Sequence, residues 1–220
     1  MCDEQKKINA PEGRGIKPSP RINKETGTSI AASLGTYSAA SSTINKKQEI
    51  ILIAAMAENR VIGKDNAMPF SVKGNLARFK EITMGWPCVM GRKTWESLPK
   101  KPLSGRLNVV ISKTMHHAQL KQCAVQDNGF YDRNSIVKIC ASIQDAVNFC
   151  SGYGKIFICG GESIYKQFMP LADRIDLTLV AGQYEGDAFF PEIDENIWIK
   201  TKSVNFENFK VITYKKINQE

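Results

Sequence analysis

Histidine is almost missing from this chain: there are two, His116 and His117, and they are adjacent. The six cysteines, Cys2, Cys88, Cys123, Cys140, Cys150 and Cys159, include no CxxC pair. Without His/Cys clusters of ligand spacing, no zinc site is expected, and no other metal. No apolar run approaches the roughly 18 residues of a membrane span. The opening residues MCDEQKKINAPEGRG lack the apolar stretch of a secretory signal. Cys2 follows the first residue with no such stretch either, which gives a lipid anchor little support. Asp3, Glu4 and Glu12 argue against a mitochondrial-type presequence, which avoids acids. No basic run is interleaved with aromatics, so a nucleic-acid partner is not expected.

What is present suits a globular fold. The 220 residues are 42% apolar and 24% charged, enough for one large domain or two very small ones. The net charge is +8; the first 48 residues hold 8 Lys/Arg and 4 Asp/Glu, so half of the excess lies there. Such a balance suits an anionic small ligand, nucleic acid or nothing at all. Cys88, Cys150 and Cys159 lie in apolar runs, where cysteine acts as a small hydrophobe. A reducing cytoplasm and a monomer are the expectations.

Residues 1–48 are poor in large apolar side chains and rich in Gly, Pro, Ser, Thr, Lys and Asn. Such a segment cannot offset its conformational entropy by burial, and a disordered extension is expected, with one domain over 49–220. Within that domain, Ile50–Met56 is continuously apolar, as in a strand covered on both faces. Residues 58–69 read as a loop. From Ser71 to about Met84, Val72, Leu76, Phe79 and Ile82 recur at helical spacing. Pro87–Met90, Leu107–Ile111 and Ile136–Ile139 read as strands, with a short helix at 93–98. The segment 113–135 is irregular, with a turn at Asn128-Gly129. Ser142 with Asp145 resembles a capping box for a helix to about Cys150. Lys155–Cys159 reads as a buried strand, Glu162–Phe168 as a helix and 174–181 as a strand. Residues 197–205 and 209–217 read as a hairpin. The order predicts a mainly parallel sheet with flanking helices and an antiparallel C-terminal hairpin.

Several groups carry candidate chemistry. Gly91-Arg92-Lys93-Thr94 ends a strand and opens a helix, which suits an anion. Ser112-Lys113 ends the next strand and adds a hydroxyl and a cation. Gly160-Gly161 would let a backbone approach a ligand. Met68, Phe70, Leu76, Phe79, Leu98 and Leu103 offer an apolar slot, and Arg106 a planar fork for a carboxylate. Tyr165 follows the glycine pair. On residues alone the plainer readings stay open: solvated basic turns, a tight glycine turn, ordinary core, a solvated loop arginine and a half-buried tyrosine.

In order, IAAMAENRVIGKDNAMPF, NLARFKEIT, PCVMGRKTWESL, PLSGRLNVVIS, IFICGGESIYKQF and LTLVAGQYEGDAFFP resemble dihydrofolate reductases of the chromosomal α/β type. MGRKTWESL and EGDAFFP at these distances are highly specific, and the resemblance spans about 49–217. It implies an eight-stranded sheet, NADPH as hydride donor and 7,8-dihydrofolate as acceptor. It implies that Gly91, Arg92, Lys93, Thr94, Ser112 and Lys113 hold the adenosine 2′-phosphate and nearby groups. Gly160, Gly161, Ser163 and Ile164 fall at the pyrophosphate, with Tyr165 beside them. Ala55, Ile62 and Gly63 fall along the nicotinamide, with Met68 in the loop above it. Ile53, Leu76, Phe79, Leu98, Leu103 and Cys159 fall along the pteridine and benzoyl slot. Arg106 falls at the glutamate carboxylate and Thr178 beside the pteridine.

Four departures stand out. Phe70 replaces the family's usual tryptophan. The stretch between Ser112 and Ser142 is longer than in compact bacterial members, and residues 1–48 are extra. Asn75 stands where the family carries Asp or Glu. A carboxylate there accepts from the pterin 2-amino group and N3–H and favours the protonated substrate. An amide cannot ionise, and its carbonyl accepts from only one such partner while its NH2 meets another donor. Losing one charge-assisted bond of this kind costs roughly 1.5–3 kcal/mol. The expectation is a reductase with impaired or acid-dependent turnover; a folate- and NADPH-binding protein without turnover, or a reductase of a related pyrimidine, are the alternatives.

Overall fold

The computed structural model describes residues 48–115 and 136–217. The chain divides into Met1–Ser42, outside these residues, and Thr43–Glu220, which contains them all. The Asn128-Gly129 turn and all of the expected disordered extension but Gln48 lie outside the described residues; the Gln48 side chain donates to the carbonyls of Cys150 and Tyr153.

Strand β1 (Glu49–Ala57) lies inside an eight-stranded sheet. With β3 (Pro87–Gly91), β4 (Leu107–Ile111), β5 (Ile136–Cys140), β6 (Lys155–Ile158), β7 (Arg174–Val180), β9 (Trp198–Asn205) and β10 (Phe209–Lys216), the order is β5-β4-β3-β6-β1-β7-β10-β9. From β5 to β7 every pairing is parallel; β10 is antiparallel to β7 and to β9. The expected architecture is therefore the observed one. It follows from strands that are apolar on both faces. In β1, Ile50, Leu52, Ala54 and Met56 enter the largest core cluster, which also takes in helices α3 (Ile143–Phe149) and α4 (Glu162–Phe168). Ile51 and Ile53 point the other way, onto Phe157 and beneath Phe79, Ile82 and Trp86. On the latter side of β3, Cys88 and Met90 pack with Trp95 of α2 (Arg92–Ser97).

Two local expectations are corrected. The first helix, α1, runs Asn75–Thr83, not from Ser71. Gly74 at its N-cap is left-handed, with φ 88°, which breaks the helical path before Asn75. Its buried side is accordingly Phe79, Ile82 and Thr83, and Leu76 is 64% exposed. The supposed loop 58–69 contains strand β2 (Val61–Gly63), which pairs antiparallel with β8 (Ala188–Phe189). Gly186 explains the contact: a Cβ there would sit 2.3 Å from Val61 Cγ1 and 2.6 Å from the Gly63 carbonyl oxygen. Asp187 N–H donates to that carbonyl and the Asp187 carboxylate accepts from Asp65 N–H. The EGDAFF stretch thus straps down the loop bearing Ile62, Gly63 and Met68.

The capping expectation holds at α3, where the Ser142 hydroxyl accepts from Asp145 N–H at 3.1 Å. Among the described residues no helix is long and apolar enough to cross a membrane.

Candidate active site

The site begins where α1 meets the sheet. Asn75, the first residue of α1, is half-buried, and its Oδ1 accepts from the Thr178 hydroxyl at 2.8 Å. Thr178 is buried in β7 and pairs in register with Ala55 of β1. Three predicted residues from three segments, Ala55, Asn75 and Thr178, therefore converge. One helical turn on, burial pushes the Arg78 guanidinium pKa down, opposed by the charges of Asp176 and Glu81.

From this pair an apolar wall runs along the α1 side of the sheet. Ile53 is buried; Phe79, Leu98, Leu103 and Cys159 are half-buried and pack on the clusters around Cys88, Met90 and Phe157. Leu76 and Met68, 64% and 51% exposed, stand at the open side. Phe70 is different. It is buried against Ala57, Val61 and Val180, with its ring edge-on to Tyr184 at 5.3 Å. Phe70 thus packs under the loop, whereas the sequence reading offered it to the apolar slot.

Cys159 and Cys88 are neighbours across β6 and β3. Their mutual hydrogen bond, reinforced by burial, holds the Cys159 proton on and pushes its pKa well up, while the same bond draws that of Cys88 down.

At the far end of the wall sits Arg106, and it is no solvated loop arginine. It is 6% exposed. Its Nε donates to the Ser104 carbonyl at 3.0 Å and its Nη1 to the Thr83 hydroxyl at 3.1 Å. Its guanidinium carbon lies 5.7 Å from the centre of the Phe79 ring. Thr83 is fully buried and donates in turn to the Phe79 carbonyl at 2.6 Å. Asn108, fully buried in β4, pins the preceding loop. Its Oδ1 accepts from Leu103 N–H at 2.8 Å, and its Nδ2 donates to the carbonyls of Leu103 and Arg106 at 3.0 Å each. Sequence reasoning missed Thr83 and Asn108. The available signal was a lone amide inside the apolar run LNVVI, since a buried polar group needs partners.

The second half of the site lies where β3 and β6 end side by side. Gly91 N–H donates to the Gly160 carbonyl at 2.7 Å, and the Gly160-Gly161 peptide is cis. A Cβ on Gly160 would sit 2.8–3.0 Å from the Tyr165 ring, one on Gly91 3.0 Å from Ile164 Cγ1, and one on Gly161 3.2 Å from Thr94 Oγ1. Neither α2 nor α4 has a side-chain cap; their N-caps are Gly91 and Gly161. Bare backbone thus lines this junction, and it fits the approach of a phosphate-bearing group. Arg92, Lys93 and Lys113 are exposed around it; Ser112 is half-buried, and its Oγ accepts from Thr114 and Met115 N–H. Arg92 pairs with Glu96 at 3.0 Å, so part of its charge is already answered. Ser163 is exposed on α4, and Ile164 is buried against Gly91.

Tyr165 is buried beneath the glycine pair. Its hydroxyl donates to the Ile53 carbonyl at 2.7 Å, and burial pushes its pKa well up. Its placement is that of a floor under Gly160 more than of a free ligand contact. Glu162, unmarked by sequence reasoning, links this junction to β8. It accepts from Lys166 at 2.6 Å and from Phe189 N–H at 3.0 Å, and both bonds, Lys166 first, hold its pKa below the usual carboxylate range.

Together these features define an α/β sheet protein with a glycine-lined, cation-rimmed junction beside an apolar slot that ends in a buried guanidinium. Comparison with known proteins gives the class a family. The dihydrofolate reductase family profile matches residues 49–217. The dihydrofolate reductase of Neisseria gonorrhoeae is 46% identical over 150 residues, covering 68% of this chain and 83% of that protein. The dihydrofolate reductase of Bacillus subtilis is 38% identical over 149 residues, covering 68% and 79%. Among solved structures, the Enterococcus faecalis dihydrofolate reductase complexed with NADP(H) and RAB-propyl matches with a TM-score of 0.61 and 27% identity. That match covers 77% of this chain and 97% of that one. This chain belongs to the dihydrofolate reductase family.

Proposed function

We propose that this chain reduces 7,8-dihydrofolate to 5,6,7,8-tetrahydrofolate with NADPH. The observation that carries the reading is the buried Arg106, held by Thr83 and Ser104 and braced by Asn108 at the end of the slot that starts at Asn75 and Thr178. Orienting a desolvated guanidinium in this way suits a bidentate carboxylate, as on a glutamate tail. A pyrimidine substrate without that tail would leave it idle.

The chain's own residues divide the work. The Gly91, Gly160 and Gly161 backbone, Thr94 and the cations Arg92, Lys93 and Lys113 would hold the phosphates of NADPH. NADPH supplies the hydride when bound. Ala55, Ile62 and Gly63 bound the nicotinamide side, and the loop strapped by Gly186 and Asp187 keeps Met68 above it. Ile53, Leu76, Phe79, Leu98, Leu103 and Cys159 exclude water from the ring and benzoyl group. Asn75 and Thr178 orient the pterin. Having no ionisable proton of its own at that point, the site takes the ring proton from water. Free Cys88, Cys140, Cys150 and Cys159 suit a reducing cytoplasm.

The test is NADPH oxidation with dihydrofolate between pH 5 and 8. Turnover should rise steadily as pH falls, and Asn75→Asp should raise it near pH 7 by roughly 10- to 100-fold. An unchanged rate in a folded Asn75→Asp protein would remove the orienting role of Asn75, and no turnover at any pH would remove the reductase reading.

A further inference from the structure

The Asn75–Thr178 pair determines which edge of a heterocycle this slot accepts. The Asn75 carbonyl oxygen already accepts from Thr178, and a carbonyl has a second lone pair. Its Nδ2 makes no hydrogen bond among the described residues. Half a turn of the amide exchanges the two atoms, with the Thr178 hydroxyl accepting instead. In both settings the side chain offers a ligand one acceptor and one donor. A carboxylate offers acceptors only.

The complement of an amide is therefore a neighbouring donor and acceptor on the ligand. On a 2-aminopyrimidine ring that edge is the exocyclic 2-amino group, a donor, beside unprotonated N1, an acceptor. Protonating N1 turns it into a donor and sets it against the amide NH2. The surrounding charges do not rescue a cation. Arg78 lies one turn along α1, half-desolvated, with Glu81 a further turn on. On β7, Asp176 is 3.4 Å from Arg174, accepts from Thr213 of β10 and faces Arg78. Arg174 also pairs with Glu49 at 2.9 Å. Ile53 and Ala55 of β1 bring no charge.

We propose that this slot is selective for the uncharged 2-aminopyrimidine edge, read by Asn75 as a donor–acceptor pair, and discriminates against the N1-protonated form. The inference rests on the reductase reading for the location of the slot. The protein chemistry is a proton equilibrium only: ligand that is protonated in solution releases its N1 proton to water on binding.

The probe is 2,4-diamino-5-benzylpyrimidine, titrated by calorimetry into the full chain saturated with NADPH, from pH 5 to 9. Affinity should tighten about tenfold per pH unit on the acid side of the ligand's own pKa and level off above it. Ultraviolet difference spectra should show neutral bound ligand even at acid pH. Asn75→Asp should reverse both results, with protonated bound ligand and affinity that weakens as pH rises. Weakening with pH in the unaltered chain, a protonated bound spectrum, or no binding at any pH would each overturn the proposal. So would a profile that changes with Asp176→Asn and not with Asn75→Asp. Dihydrofolate-dependent NADPH oxidation on the same samples separates the two ideas. Turnover with a protonated bound probe removes only the edge proposal, and a neutral bound probe without turnover removes only the reductase reading.

Discussion

Arg106 shows how much a single side chain owes to residues that no motif marks. Its guanidinium is buried yet aimed, because Thr83 and Ser104 take two of its donors and Asn108 ties down the loop beneath it. Its value to a ligand lies in the planar fork, which lysine lacks. Arg106→Lys should raise the KM for dihydrofolate about 10- to 100-fold, the cost of a charge-assisted bidentate contact, with little change in kcat. Steady-state kinetics with a pterin lacking the carboxylate tail should show no such change. Asn75 is the opposite case. It was visible in the sequence as a departure, but its consequence required its partner: Thr178 lies about a hundred residues away, and only the fold, which sets the start of α1 beside β7, brings the two together.

At the scale of elements, the decisive features are chain reversals that need no Cβ. The β6–α4 turn places Gly160 at φ 99° against the Tyr165 ring. Gly160→Ala meets both the left-handed penalty and a collision. It should destabilise by about 1–3 kcal/mol and weaken NADPH binding. Gly154→Ala, where an added Cβ has no neighbour within 4 Å, should do neither; denaturant melts and cofactor titrations of the two variants check this. At α3 the Ser142 hydroxyl answers one of the free N–H groups of the first turn. Ser142→Ala should cost about 1 kcal/mol in urea unfolding and leave turnover unchanged. The late start of α1 and the β2–β8 ribbon both escaped the sequence pattern. In α1 the apolar spacing reached back through Gly74 to Val72, but the left-handed backbone at Gly74 keeps the helix from starting before Asn75. In the ribbon, two strands of 3 and 2 residues are too short to show any period.

At the scale of the molecule, the sheet is stable because both of its faces are covered, and its buried thiols are part of that cover. Cys150 is fully buried, and burial pushes its pKa up to about 12, from an ordinary 9.0. A folded-state pKa above the unfolded value means that the contribution is fully present below about pH 9 and is lost as pH rises toward 12. The unfolded chain ionises first and is drawn away. Stability to urea should therefore fall across that window, with Cys150 accounting for up to about 4 kcal/mol, and Cys150→Ala should lose that share of the slope. Tyr165, also pushed up by burial, acts in the same direction at higher pH.

The strands of the main sheet were legible from the sequence alone, most clearly the continuous apolar runs that call for a sheet covered on both sides, whereas their spatial order came from the fold. The family was legible in the sequence too, because MGRKTWESL and EGDAFFP stand at fixed distances. Tertiary structure alone decided the supports of the site: Thr83 and Asn108 behind Arg106, Tyr165 beneath Gly160, Phe70 turned inward onto Tyr184, and Thr178 on Asn75. These are contacts between segments distant along the chain, and hydrophobic period carries no record of which buried polar atoms will meet. Asn75 belongs to both accounts. Its identity as an amide excludes a charge at that point, and its seat on Thr178 determines what the amide offers to a ligand.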